Sequence, residues 1–152
     1  KFSREIDLKV YDSNNINLST YKEFKSLHFK ESGRLTRSEK TWEIHYDMIK
    51  KDSAVLICAV LNEELIGAAL FIHSPYSAYY GVSASNVILK KTVPITHLII
   101  DKAIHYYKDL GLLSLILGLY EPDSKDEKLK GISGFKSAFS NEKSINLKFH
   151  GN

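Results

Sequence analysis

Arg34 and Arg37, three residues apart, suit an anionic ligand, because a guanidinium takes phosphate or carboxylate bidentately. That chemistry would serve a nucleotide-sugar, a tRNA end or a peptide carboxylate, although charges beside a helix cap look the same. Tyr79 and Tyr80 are consecutive in a β-rich run, so their rings point to opposite faces and only one can line a cleft. A cleft phenol can act as general acid or donate a hydrogen bond to a leaving group. Tyr120 and Glu121 end a long apolar run, where Glu121 either serves as general base for an attacking amine or caps a turn with Pro122 and Asp123. Trp42 could offer a stacking platform, but it lies on an apolar helical stripe, the ordinary place for a core indole. His97, Asp101 and His105 recur every four residues, a spacing able to hold zinc. No cysteine accompanies them, and such rows are usually solvent-facing, so no metal is expected.

Composition narrows the classes. With 152 residues, 43% of them hydrophobic, the chain can bury one full core and is short for two. A single domain spanning 1–152 is expected. Its formal charge of +3 is too slight and dispersed for a nucleic-acid footprint, which leaves tRNA possible only as a substrate. The one cysteine, Cys58, sits in an apolar run and reads as a small buried hydrophobe, without a disulfide framework. Asn62, Glu63 and Glu64 interrupt the longest apolar segment before it reaches the roughly 18 residues that span a bilayer, so a cytoplasmic protein without a transmembrane segment is expected. Lys1 opens the chain with no signal-like apolar core behind it, consistent with excision from a longer protein carrying an upstream partner domain.

The elements that must position these residues follow from periodicity. Thr20-x-x-Glu23 reads as a capping box ahead of Tyr21, Phe24, Leu27 and His28 on one helical face, and Gly33 stops the pattern. Thr36-x-x-Glu39 repeats the signature before Trp42, Tyr46 and Ile49. A β-rich run over 54–61, a polar corner at 62–64 and a second run over 65–73 predict a hairpin, and 77–83 adds a third strand. Pro94 suits the first turn of a helix with Ile95, Leu98, Ile99, Ala103 and Tyr106 as its stripe and Gly111 as its C-cap. A buried strand over 112–120, a short polar helix over 124–130 and a strand over 144–149 complete the chain, with a weak opening strand over 5–11. The order β, α, α, β, β, β, α, β, α, β is an α+β string, a three-layer α/β sandwich on a mixed, mostly antiparallel sheet. It matches the acyl-CoA N-acyltransferase (GNAT) fold, an architecture that hosts many donors and acceptors.

Phe135-Lys136 followed by Phe139, together with Gly33-Arg34-Leu35-Thr36-Arg37, Trp42, the 54–74 hairpin and Tyr79-Tyr80, resembles the C-terminal half of Fem-type transferases over roughly residues 20–150. Those enzymes attach amino acids to peptidoglycan precursors and carry two GNAT-like domains in tandem. The resemblance implies that Lys136 neutralises charge on a donor phosphate or a developing oxyanion, that Phe135 walls off water, and that Arg34 and Arg37 lie near the acceptor. It also implies a cell-wall-precursor amine as acceptor, and a domain that is either catalytic or the recognition half of a tandem protein. An acetyl-CoA enzyme would carry a glycine-rich turn whose amides cradle pyrophosphate before the helix. Here Ser83-Ala84-Ser85 leads to Pro94 with no glycine after Gly81, so CoA binding in the usual manner is disfavoured. The Ala/Ser-rich exit is similar to the Fem type, which makes Ser83 and Ser85 candidates beside the substrate. The co-substrate stays open between aminoacyl-tRNA and acyl-CoA, with no tightly bound cofactor.

Overall fold

A computed structural model describes residues 6–34, 37–119 and 144–148, the side chains of 119 and 144–148 excepted. The described elements are β1 (Ile6–Tyr11), α1 (Leu18–Ser32), α2 (Glu39–Lys50), β2 (Ala54–Leu61), β3 (Glu64–His73), β4 (Ser77–Ser85), α3 (Ile95–Leu110), β5 (Ser114–Leu119) and β6 (Ser144–Lys148), with a 3-10 turn at Leu89–Lys91. They follow the predicted order; the short helix expected over 124–130 lies outside the described residues. The six strands form one sheet in sequence order, antiparallel at every pairing except β4 with β5, which α3 joins as a parallel crossover.

Two apolar layers hold the sheet. Val55, Ile57, Phe71, Ile99, Ala103 and Tyr107 belong to the layer under α3, while Tyr21, Phe24, Trp42, Ile49, Leu56 and Leu70 belong to the layer under α1 and α2. Strand alternation explains the division: Val55 and Ile57 face one way, Leu56 and Cys58 the other, and all four are buried. Helix α3 can approach closely because β3 carries Gly67, where a Cβ would stand 2.2 Å from Ile95 Cγ2.

Local chemistry moves several boundaries. The side chain of Asn17, not Thr20, caps α1, accepting the Thr20 N–H at 2.8 Å; Ser38 caps α2, accepting the Thr41 N–H at 3.2 Å. Both are strong N-cap types standing just before the helix, so Thr20 falls inside the first turn instead. The helix stripe of α3 follows Ile95, Ile99, Ala103 and Tyr107, leaving Tyr106 only half-buried, because the i, i+4 row keeps to one face through Tyr107. The Tyr107 hydroxyl lies 2.8 Å from His73 Nδ1, and His73 Nε2 lies 2.9 Å from the Asp52 carbonyl. A carbonyl only accepts, so Nε2 carries the proton and Nδ1 accepts from the phenol. The β2–β3 hairpin turns in two residues, Asn62 and Glu63, both left-handed at φ 50° and 65°. That geometry matches the twist of the strands but holds Glu63 in a conformation that any residue with a Cβ disfavours.

Candidate functional site

Strands β4 and β5 part company a third of the way along β4. Their pairing runs Ser77 with Ser114, Ala78 with Leu115 and Tyr79 with Ile116, and among the described residues it goes no further, whereas β4 stays paired to β3 as far as Ser85. Among the described residues, 80–85 therefore have a neighbouring strand on one side only. A β-bulge marks the same place: Leu70 faces Val82 while Phe71 faces Tyr80, so Gly81 is the extra residue. A Cβ on Gly81 would stand 3.1 Å from the Leu70 carbonyl oxygen, and glycine lets the strand bend there without crowding β3.

Side chains gather along this open edge. Tyr80 turns toward the α3 layer, its ring 5.6 Å from that of Phe71, and its hydroxyl donates to Ser83 Oγ at 2.8 Å. Burial raises the Tyr80 phenol above its ordinary range, the Ser83 bond opposes the rise, and the charge of Glu31 adds to it. The phenol thus keeps its proton at neutral pH. Asn86 N–H donates to the Ile66 carbonyl at 2.8 Å, so by strand alternation the Ser85 N–H points away from β3. There it meets Glu31 Oε1 at 3.1 Å, and Glu31 Oε2 takes Lys90 Nζ at 2.7 Å. Asn86 Oδ1 accepts from the N–H groups of Ile88 and Leu89, both at 3.0 Å, which starts the turn that presents Lys90.

The structure thus brings together Tyr80, Ser83 and Ser85 of the predicted residues and adds Glu31, Lys90 and Asn86. Glu31 leaves a faint trace in the sequence, since a carboxylate in the last turn of a helix opposes the macrodipole unless something compensates it. Tyr79 points to the opposite face from Tyr80 and is 47% exposed, as alternation requires. Arg34 is exposed, and Arg37 lies with Nη1 3.3 Å from His28 Nε2. Arg37 thereby packs beside the His28–Trp42 pair, whose rings are 5.3 Å apart. Trp42 is 2% exposed and sits edge-on to Tyr21 and Phe24 at 6.1 and 5.5 Å. Its Nε1 and the nearby His45 Nδ1 are buried with no hydrogen-bond partner among the described residues, and burial, followed by the charge of Arg37, lowers the His45 pKa. Lys136, Glu121, Tyr120 and Phe135 lie outside the described residues.

The segment entering α3 departs from a glycine-rich phosphate turn. Pro94 occupies the N-cap position without a side-chain cap, and Ile95 N–H turns back to the Val93 carbonyl at 2.8 Å. Two open grooves border α1, one of about 330 Å³ against Asp7, Lys9 and Cys58 and one of about 370 Å³ against Lys30, Glu64 and Asn86; Glu23 and Glu63 line both. Among the described residues no three His, Cys, Asp or Glu side chains converge as a metal site. His105 instead directs Nδ1 to the Asp101 carbonyl at 2.8 Å on an exposed face. No described helix is long and apolar enough to cross a membrane.

No protein-family model and no curated protein matches the chain. Its structure is similar to that of an aminoglycoside acetyltransferase from an uncultured soil metagenomic sample, solved with sisomicin, at TM-score 0.73 and 12% identity over 93% of this chain and 92% of that one. It is also similar to AAC(6′)-Iy in complex with the bisubstrate analogue CoA-S-monomethyl-acetylneamine, at TM-score 0.67 and 10% identity over 91% and 92% of the two chains. A GNAT family acetyltransferase from Elizabethkingia anophelis with acetyl-CoA bound aligns at TM-score 0.57 and 14% identity over 86% of this chain and 74% of that one. At such identities the likeness speaks for architecture, and the architecture is the acyl-CoA N-acyltransferase (GNAT) fold.

Proposed function

We propose that this protein is an N-acyltransferase that moves an acyl group from a CoA thioester to an amine. The observation that carries this reading is the separation of β4 from β5 after Tyr79, which leaves residues 80–84 with an open strand edge beside a proton-holding phenol. A donor with an extended, amide-bearing arm can add to such an edge as a strand would, through main-chain hydrogen bonds. Structures of the same fold were solved with acetyl-CoA or a CoA-derived analogue, which supports a CoA thioester as that donor. Lys91, on the turn before α3, would supply ammonium charge where a glycine turn would supply amides.

In this reading the neutral amine nitrogen attacks the thioester carbonyl carbon, a C–N bond forms and the C–S bond breaks. The departing sulfur takes the Tyr80 proton, and the nitrogen's surplus proton restores the phenol. Holding donor and acceptor in one gap supplies most of the acceleration. The test is thiol release from acetyl-CoA in the presence of amines, with Tyr80→Phe alongside. That variant should bind acetyl-CoA as wild type does and lose roughly 100- to 10,000-fold in kcat, the usual worth of a positioned acid. Wild-type protein that fails to bind acetyl-CoA in a calorimetric titration would remove this reading.

A second reading is favoured by the segment from Asn86 to Pro94, which builds a side-chain-capped turn where a pyrophosphate cradle would be. A donor without that pyrophosphate, such as aminoacyl-tRNA, fits it. The activity would then be Fem-like, with Lys136 offsetting charge at the reacting centre and a cell-wall-precursor amine as acceptor, in this domain alone or beside a tandem GNAT-like partner. Transfer from charged tRNA that Lys136→Ala abolishes would select this reading; transfer unaffected by Lys136→Ala would discard its site.

A further inference from the structure

We infer that Glu31 is the seat of the acceptor's ammonium group and that Lys90 occupies that seat until substrate arrives. This rests on the acyl-transfer reading and names the acceptor class within it, a polycationic alkylamine. The Ser85 N–H fixes Glu31 Oε1 at 3.1 Å, so the backbone of β4 sets the direction of the carboxylate. Its other oxygen holds Lys90 Nζ at 2.7 Å, the contact that a primary alkylammonium substrate would make. The two partners differ in exposure: the lysine side chain is 45% exposed and the carboxylate side chain 24%. Lysine can swing into water by rotating its own stem, while Glu31 stays pinned to the strand.

Position argues the same way. Glu31 stands at the open edge of β4 against Ser85, two residues along the strand from Ser83, which accepts from the Tyr80 hydroxyl, so an amine seated there lies along the same strand edge as the group that would protonate the leaving sulfur. Beyond the seat, the groove of about 370 Å³ lies against Glu23, Glu63 and Glu64, with Lys30 as its cation. Carboxylates outnumber ammonium groups along it, which suits the further positive charges of a polyamine chain better than an anionic peptide or nucleotide. Before attack the seated ammonium gives one proton to Glu31, which releases it to the adjoining water.

Spermidine titrated calorimetrically into wild type, Lys90→Ala and Glu31→Gln, with no donor present, tests the inference. The glutamine side chain keeps a carbonyl oxygen for the Ser85 N–H, so the charge is removed while the strand contact is retained, and melting temperatures confirm that each variant is folded. Lys90→Ala should bind spermidine about tenfold more tightly than wild type and Glu31→Gln about tenfold more weakly, as expected for one charge-assisted contact. KM for spermidine should shift in the same directions, with acetyl-CoA affinity unchanged. Equal spermidine binding in all three proteins, or no binding by any, overturns the inference; so does a fall in melting temperature in Lys90→Ala with no change in binding, the signature of a structural latch. Failure of the acyl-transfer reading looks different, because the spermidine series would persist while wild type released no thiol from acetyl-CoA.

Discussion

Each of the two layers flanking the sheet buries an aromatic ring beside a histidine, and the two pairs are finished differently. Under α3, the Tyr107 hydroxyl donates to His73, and His73 donates to a backbone carbonyl that cannot move away. Under α1 and α2, the Trp42 indole N–H and His45 Nδ1 are buried without partners among the described residues, and the neighbouring cation is Arg37. A closed hydrogen-bond chain stiffens the first layer, whereas in the second the indole and imidazole nitrogens have no such chain among the described residues. The first layer backs the gap between β4 and β5; the second borders the grooves along α1. The difference between the layers is one of polar satisfaction, since both are fully packed with apolar side chains.

The sharpest way to break this contrast is to empty the first layer. Tyr107 is fully buried, and Tyr107→Ala should cost about 3–5 kcal/mol in chemical denaturation by cavity formation, with the added loss of the His73 partner. A loss under about 1 kcal/mol would show that the layer can collapse around the void. Acid should act on the second layer. His45 in the folded protein has a lowered pKa, so the unfolded chain binds its proton first; the stability His45 contributes is whole above about pH 6.5 and declines as pH falls below it. His97, lowered by burial as well, adds to the same decline. A melting-temperature series from pH 7.5 to about pH 5 should therefore slope downward, and His45→Gln should flatten it. A slope that His45→Gln leaves unchanged would remove His45 from the account. The smallest effect belongs to neither layer. Glu63→Gly in the hairpin relieves a left-handed residue and should gain about 0.5–1 kcal/mol, a reference for how little a surface turn contributes beside either core.

Much of the frame is legible in the sequence, because apolar periodicity over 54–61, 65–73 and from Ile95 to Tyr106 is long and strongly patterned. Tyr79 and Tyr80 separated onto opposite faces for the same reason. Helix starts were harder: Asn17 and Ser38 compete with Thr20 and Thr36 as cap residues, and only the actual chain entry decides between them. The candidate site was legible on β4, where Tyr80, Ser83 and Ser85 are neighbours in sequence. The other half of it was not, since Glu31 meets Lys90 and the Ser85 backbone across more than fifty residues, and nothing in a local pattern encodes that meeting. Arg34 and Arg37 illustrate the converse. Their spacing suits an anionic ligand, and only the fold shows that one is exposed while the other packs beside His28.

The close approach of Ile95 to Gly67 bears on how such a gap could open and shut. With a methyl group's worth of space left vacant on β3, the first turn of α3 is seated like a dowel in a hole, so that sliding or tilting the helix would require Ile95 to climb out. One jaw of the gap is thereby clamped to the sheet.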